Sequence, residues 1–410
     1  MALLITLAFR NIRRNLRRSI ITLLAISVGL TVMLLGLCLQ HGSYNAMIRS
    51  GVSQVAGHVV IQKKDYQEQR EPLLLLTNSS QIKSDLQKEF PDATITNRAF
   101  LGGLLTAPKG PTAASIIAVD SASEKTISDF PQKIIEGEWL DDKPESIVIG
   151  SNMAETLGVK LNNKIVFSAQ YGKNDIAFHV FRIKGIFHTG SAEADSFIAY
   201  ANLSMTKNIL MQDDVSHQVA VHFEDVEQSI PATEQTRSKL SIPDIDILSW
   251  DQALPDIQNM IEMDRVSNAF IHFVLAVIVG MGILNTMLMS VLERTREFGV
   301  MISIGMKPKD LSIMILLEGA LLGLLGGVLG IILGYLTCYP LVTHGLDLSA
   351  QMGDSYDAAG VTISAIIYGA YHWPSIILYG FLAVFFSTIC AIYPALKIIY
   401  LKPVDAMRHH

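Results

Sequence analysis

Four apolar runs, each without Asp, Glu, Lys or Arg, decide what this 410-residue chain can become: residues 20–39, 270–291, 319–341 and 375–396. A helix needs about 20 consecutive apolar residues to cross the hydrocarbon core of a bilayer. Each run meets that length, the second interrupted only by His272 and Asn285. The sequence therefore predicts a four-helix membrane protein. The first run is too long for the apolar region of a cleaved signal peptide, and no small-x-small cleavage site follows it. Leu37 precedes Cys38, where lipoprotein cleavage needs a small residue. The expectation is a retained anchor.

Lys and Arg near the spans set orientation. Arg10, Arg13, Arg14, Arg17 and Arg18 precede the first span, and Arg294, Arg296, Lys307 and Lys309 separate the second from the third. Lys397, Lys402 and Arg408 follow the fourth, whereas 340–374 carries only Asp347, Asp354 and Asp357 as charges. Both termini and the middle loop are thus expected in the cytoplasm, with 43–265 and 340–374 outside. This divides the chain into a cytoplasmic helix and first span (1–42), an extracytoplasmic domain (43–265), and spans two to four (266–410).

The outside stretch reads as mixed α/β. β-branched runs at 58–62, 146–149, 164–169 and 219–223 predict strands, and 81–90 and 151–157 predict helices. Gly150-Ser151 reads as a strand-to-helix turn and Leu157-Gly158-Val159 as a helix stop. All three cysteines, Cys38, Cys338 and Cys390, lie in the apolar runs, so no disulfide framework or cysteine metal site fits this domain. His58, His179, His188, His217 and His222 show no close ligand spacing and read as scattered surface or core histidines. There is no HExxH pair, no GxSxG elbow and no Walker A sequence, so an enzyme is not expected and ATP hydrolysis must come from another polypeptide. A net charge of −6 argues against nucleic acid.

The loop between spans two and three is the most informative local sequence. Glu293 and Glu297 fall on one helical face, with Phe298, Met301 and Ile302 beside them and Gly299 allowing close approach. A short amphipathic helix results, its apolar face expected to dock into a partner's groove. In the third span, Gly319, Gly323 and Gly327 form one small-residue row and Gly326, Gly330 and Gly334 another. Such rows are packing faces, one expected within the chain and one at a subunit interface. Glu318 reads as a structural carboxylate rather than a proton relay, and His272 as interfacial.

Glu293, Arg294, Thr295, Arg296, Glu297, Gly299 and Gly305 follow in order the E-R-T-R-E-x-G-x-x-x-x-x-G element of type VII ABC transporter permeases, the FtsX/MacB-like superfamily. Asn285 fits the stretch before it. Residues 8–18 resemble that family's R-N-x-x-R start, and 393–408 its P-A-x-x-A…P-x-x-A-L-R ending, with Ile398 where Ala is usual. The resemblance implies that 293–305 is a coupling helix seated on a separate ABC ATPase dimer, which holds ATP and Mg. It also implies a second permease, either another copy or a homologue. The long 340–374 loop and the Phe181–Asp195 stretch resemble the lipoprotein-releasing Lol branch. The function this implies is extraction of lipoproteins, or other lipid-anchored substrates, from the bacterial inner membrane to a periplasmic acceptor. The alternatives are MacB-like efflux and FtsX-like control of a cell-wall hydrolase.

Overall fold

The computed structural model describes residues 2–171, 175–240 and 242–399. The tail residues Lys402 and Arg408 lie outside the described residues. The chain divides into a membrane unit, comprising the segment up to Tyr44, Glu262–Leu346 and the chain from Ile367 on, and an α/β unit of Asn45–Ile261 with Asp347–Ile366. The loop 340–374, grouped with the spans on sequence, thus gives its middle to the α/β unit. Nothing in its composition announces this. It is held by a reciprocal amide pair, Gln54 Nε2 donating to Thr362 O at 2.7 Å and Thr362 N to Gln54 Oε1 at 3.0 Å.

In the membrane unit α1 (Ala2–Arg14) leads into α2 (Leu16–Gln54). Among the described residues four helices are long and apolar enough to cross a membrane, and α2 is the first. Its 39 residues extend about 58 Å at 1.5 Å per residue, nearly twice the ~30 Å hydrocarbon core.

In the α/β unit the helices used below are α3 (Ser79–Glu89), α4 (Ser121–Ile127) and α5 (Ser151–Leu157). Gly158 stops α5 with φ +65°, a left-handed conformation that favours glycine. The remaining spans are α6 (Pro255–Glu293), α8 (Pro308–Thr343) and α9 (Trp373–Ile399), with the short α7 (Thr295–Ser303) between α6 and α8.

The main sheet uses β1 (Val59–Lys63), β2 (Thr94–Ala107), β3 (Gly110–Val119), β4 (Ile134–Gly137), β5 (Ser146–Gly150), β6 (Lys164–Tyr171), β7 (Asp175–Phe187), β8 (Ile198–Asn202), β9 (Gln218–His222) and β10 (Ile245–Ser249). Their order is β10-β1-β9-β2-β3-β8-β5-β7-β4, and β6 pairs with both β2 and β7. Those two extra pairings close β2, β3, β8, β5, β7 and β6 into a ring. Ile116, Ile147, Ile149, Phe167, Phe181 and Ile183 fill it. A second core forms where α3 covers β1, β9 and β10 through Ile82, Leu86, Ile61, Val219 and Ile247. The strands expected at 58–62, 146–149, 164–169 and 219–223 are present within two residues of their predicted ends.

Candidate coupling site and its relatives

The segment expected to couple to an ATPase is shaped by breaks at both ends. Arg294 leaves helical geometry between α6 and α7 with φ −97° and ψ 8°. After α7 the chain turns at Gly305, whose φ of +107° strains any side-chain-bearing residue. Pro308 then starts α8 at a position where its missing N–H costs nothing.

The apolar face of α7 points inward. Phe298 is 0% exposed and packs in one cluster with Ala8, Val291, Leu311, Met314, Ile315 and Ile398; Met301 and Ile302 lie partly buried against it. Gly299 is buried as well. The expectation that Phe298, Met301 and Ile302 form an open docking face is therefore corrected. A short amphipathic helix has one apolar face, and here the chain's own α1, α8 and α9 take it. What α7 leaves outside is a different row: Arg296, Val300, Ser303 and Ile304, the last 82% exposed, with Gly305 following.

Of the motif's charges, Glu293, Arg294 and Glu297 are spent inside the chain too. Arg18 pairs with Glu293 and Arg14 with Glu297. Arg294 is buried, lies 3.4 Å from carboxylate oxygens of both Glu297 and Glu318, and stacks over the Phe298 ring at 5.1 Å. Glu318 is thus a structural partner of Arg294. Desolvation raises the Glu297 carboxyl, but the Arg14 and Arg294 guanidiniums outweigh it and hold the group below the usual carboxylate range. Thr295 bonds back to Leu292 O at 2.7 Å.

Both glycine rows are used within the chain, so neither is left for the subunit interface expected of one of them. A Cβ at Gly319 would sit 2.7 Å from that of Ala391, and one at Gly323 2.8 Å from that of Ser387, both on α9. Gly327 faces Gly380 and Ala383 of the same helix. The other row meets α2: Gly326 at Ile26, Gly330 at Leu30 and Gly334 at Leu34, each within 3.0 Å of where a Cβ would stand. Ser387 Oγ donating to Gly319 O at 2.8 Å adds polar adhesion. His272 is buried in the bundle with Nδ1 3.0 Å from Tyr379 OH.

One device escaped sequence reasoning. In the α/β unit the last turn of α2 is gripped by side chains. Arg98 on β2 donates to the carbonyls of Ser53 and Ala56, and Gln218 donates to Val55 O at 2.7 Å. Arg98 is neutralised by Glu124 of α4 at 2.9 Å, with both side chains fully buried. Gly51 lets α2 approach Leu254 and Ile257 at the start of α6, where a Cβ would come within 2.8 Å of each. The only signal was one Arg in a β-branched run.

The histidines are mostly core groups. His217 Nδ1 accepts from Phe100 N at 3.0 Å, which leaves its Nε2–H for Pro72 O at 3.1 Å. Ser151 Oγ and Asp195 Oδ2 both approach Nδ1 of His188, at 2.9 and 2.8 Å. A nucleophile relay needs them on opposite ring nitrogens, so this trio clamps the turn into α5. Among the described residues no three His, Cys, Asp or Glu gather as metal ligands.

Comparison with known proteins places these features. Residues 19–239 match the MacB-like periplasmic core domain and 269–403 the FtsX-like permease C-terminal domain. The chain is 21% identical over 410 residues to a lipoprotein-releasing system transmembrane protein LolC of Xylella fastidiosa, covering 95% of this chain and 94% of that one. It is 22% identical over 419 residues to an ABC transporter permease of Methanocaldococcus jannaschii, covering 99% and 97%. With the macrolide export ATP-binding/permease protein MacB of Aggregatibacter actinomycetemcomitans it shares 22% over 329 residues, 75% of this chain and 49% of that one. The crystal structure of the periplasmic region of MacB from Actinobacillus actinomycetemcomitans aligns at 15% identity with a TM-score of 0.36, over 50% of this chain and 92% of that one. The ring-closed α/β unit, the four spans and the broken helix at 294 belong together: this chain is a member of the FtsX/MacB-like family of ABC transporter permeases, a membrane protein whose family implies an ATPase partner.

Proposed function

We propose that this permease extracts lipoproteins, or other lipid-anchored cargo, from the bacterial inner membrane and passes them to a periplasmic acceptor. One observation carries the reading beyond the family. On β7, Ile176, Phe178 and Val180 point outward, Phe178 being 66% exposed, while Ala177, His179 and Phe181 point in. Val166 of β6 stands opposite Val180 and is exposed as well. An apolar row on an outer strand face marks an interaction surface. It suits a receiver that must keep acyl chains from water. Near-full-length similarity to LolC supports the same reading.

In this account an ABC ATPase dimer, holding ATP and Mg, seats on the exposed Arg296, Val300 and Ile304 of α7. Arg14 at the end of α1 pairs with Glu297 of α7, and Arg18 near the start of α2 pairs with Glu293 at the end of α6, so a push on α7 reaches α1 directly and the first span through the 293–297 corner. A second permease, a copy or a homologue, covers the exposed α6 face at Phe270, Phe273, Val277 and Met281. Acyl chains enter between the two permeases and are expelled when ATP closes them. Lifting a chain into water costs about 0.8 kcal/mol per CH₂, which calls for both ATP and a hydrophobic receiver.

Spheroplasts depleted of the protein should keep their lipoproteins at the inner membrane; undiminished release contradicts the proposal. The match to the MacB-like periplasmic core domain favours a second reading, efflux through a partner adaptor. Lost drug resistance with normal lipoprotein release on depletion supports that instead. An FtsX-like role predicts neither loss, only impaired control of a cell-wall hydrolase.

A further inference from the structure

The packing of α2 on α8 has a period, and it ends on two thiols. A Cβ built on Gly326 would lie 2.8 Å from that of Ile26, one on Gly330 3.0 Å from that of Leu30, and one on Gly334 3.1 Å from that of Leu34. Each pair stands four residues beyond the last on both helices, so α2 and α8 run parallel in fixed register, and the gap widens slightly along it. The next pair in the series is Cys38 with Cys338. Cys338 Sγ lies 3.7 Å from Leu34 O, the carbonyl one turn before Cys38, and the two thiols share a hydrogen bond. Both cysteines are buried. The third, Cys390, belongs to another contact: a Cβ at Gly280 on α6 would lie 3.2 Å from its Sγ.

A disulfide needs Cβ atoms about 3.5–4.5 Å apart. The glycine row brings the helix backbones close enough for that, and 38 with 338 is the first step of the series at which both residues carry a Cβ. The two cysteines also lie within three residues of Leu39 and Leu341, where their apolar runs end on the side of the MacB-like periplasmic core domain. Disulfides form and persist outside the cytoplasm. We propose that Cys38 and Cys338 form a disulfide in the mature protein, joining the outer ends of the first and third spans. The oxidant is an external disulfide of the thiol-oxidase class. One cysteine attacks it as the thiolate, giving a mixed disulfide and releasing one thiol; the other cysteine then attacks the first cysteine's sulfur and releases the second thiol. The two cysteines give up two protons and two electrons, and the oxidant's disulfide takes them as two thiols. Exchange precedes closure of 369–370 over the pair: in the folded chain Ala370 N donates to Cys38 O at 2.9 Å, and a Cβ at Gly369 would stand 2.6 Å from Cys38 Sγ. Once bonded, α2 and α8 move as one body at that end. The bond is independent of the proposed cargo.

The test counts thiols on the full chain. Native membranes are quenched in acid, denatured, and labelled with a maleimide carrying a 5 kDa polyethylene glycol. One adduct, on Cys390, is expected without reduction and three after dithiothreitol. Cys338→Ser should give two adducts whether or not it is reduced, and non-reduced peptide mapping of the wild type should recover the peptides of Cys38 and Cys338 joined. In detergent, reductant should lower the melting point of the wild type by about 5 °C and leave that of Cys338→Ser where it is. Two results overturn the proposal: three adducts on the wild type before reduction, or a wild-type melting point that reductant does not move.

Discussion

Arg98 and Glu124 form an ion pair from which solvent is fully excluded, 2.9 Å apart, and the guanidinium spends its other N–H groups on the carbonyls of Ser53 and Ala56 at the end of α2. Those carbonyls have no partner of their own at a helix terminus. A charge buried for that purpose needs its counter-charge beside it. The pair therefore fixes the last turn of α2, which belongs to the α/β unit, to that unit's own sheet.

Breaking that pair from one side leaves an uncompensated buried charge, at about 3–5 kcal/mol. Arg98→Met and Glu124→Gln should each lower stability by that order in chemical denaturation. The double change Arg98→Met with Glu124→Gln should lose less than the two singles summed. Strict additivity would mean that the two side chains do not act as a unit.

Inward and outward faces of α7 separate in mutants. Phe298→Ala should cost about 3–5 kcal/mol, the range for a fully buried aromatic, and lower the yield of folded protein. Ile304→Asp should leave thermal stability unchanged and abolish co-purification of the ATPase. Retained ATPase binding in Ile304→Asp would move the contact elsewhere. Reversing the charge of Glu293 or Glu297 should uncouple hydrolysis from transport by freeing Arg18 or Arg14.

The glycine rows predict a contrast within the membrane unit. Gly326→Val drives into Ile26 and Gly323→Val into Ser387, and overpacking of this kind costs about 1–3 kcal/mol. Gly282 has nothing within 4 Å of its missing Cβ, so Gly282→Val should be tolerated. Melting of the three variants in one detergent decides it; equal melting points would contradict the packing.

Burial pushes the His217 imidazole down to about 4. The unfolded chain binds that proton near pH 6.5 and the folded chain resists it, so stability is full above about 6.5 and falls as pH drops toward 4. Between about pH 6.5 and 5 this one residue should remove on the order of 1–2 kcal/mol. His217→Gln should flatten the slope of unfolding free energy against pH in that window.

The membrane architecture was legible because about twenty apolar residues admit few other readings. Gly158 announced the end of α5 because only a residue free to take positive φ stops a helix that way. The β2–β3 hairpin was not legible: Gly102 and Gly103 interrupt its alternation, and the pairing of β2 with β6 joins residues some sixty apart, Leu104 with Ser168. At the coupling segment the sequence defined the amphipathic helix, but not what covers it. Ala8, Leu311 and Ile398 converge on Phe298 from three distant segments, and hydrophobic spacing in one segment carries no record of the others. The same limit hid the Arg98 clamp, whose partners lie 26 to 45 residues away.

The most direct test of the central claim is reconstitution. The chain, its co-purified ATPase and any second permease are placed in proteoliposomes carrying a triacylated lipoprotein, with the periplasmic acceptor outside. Lipoprotein recovered with the soluble acceptor should rise with ATP and fall to the ATP-free level in the Ile304→Asp variant. ATP hydrolysis that leaves all lipoprotein in the membrane would contradict the account.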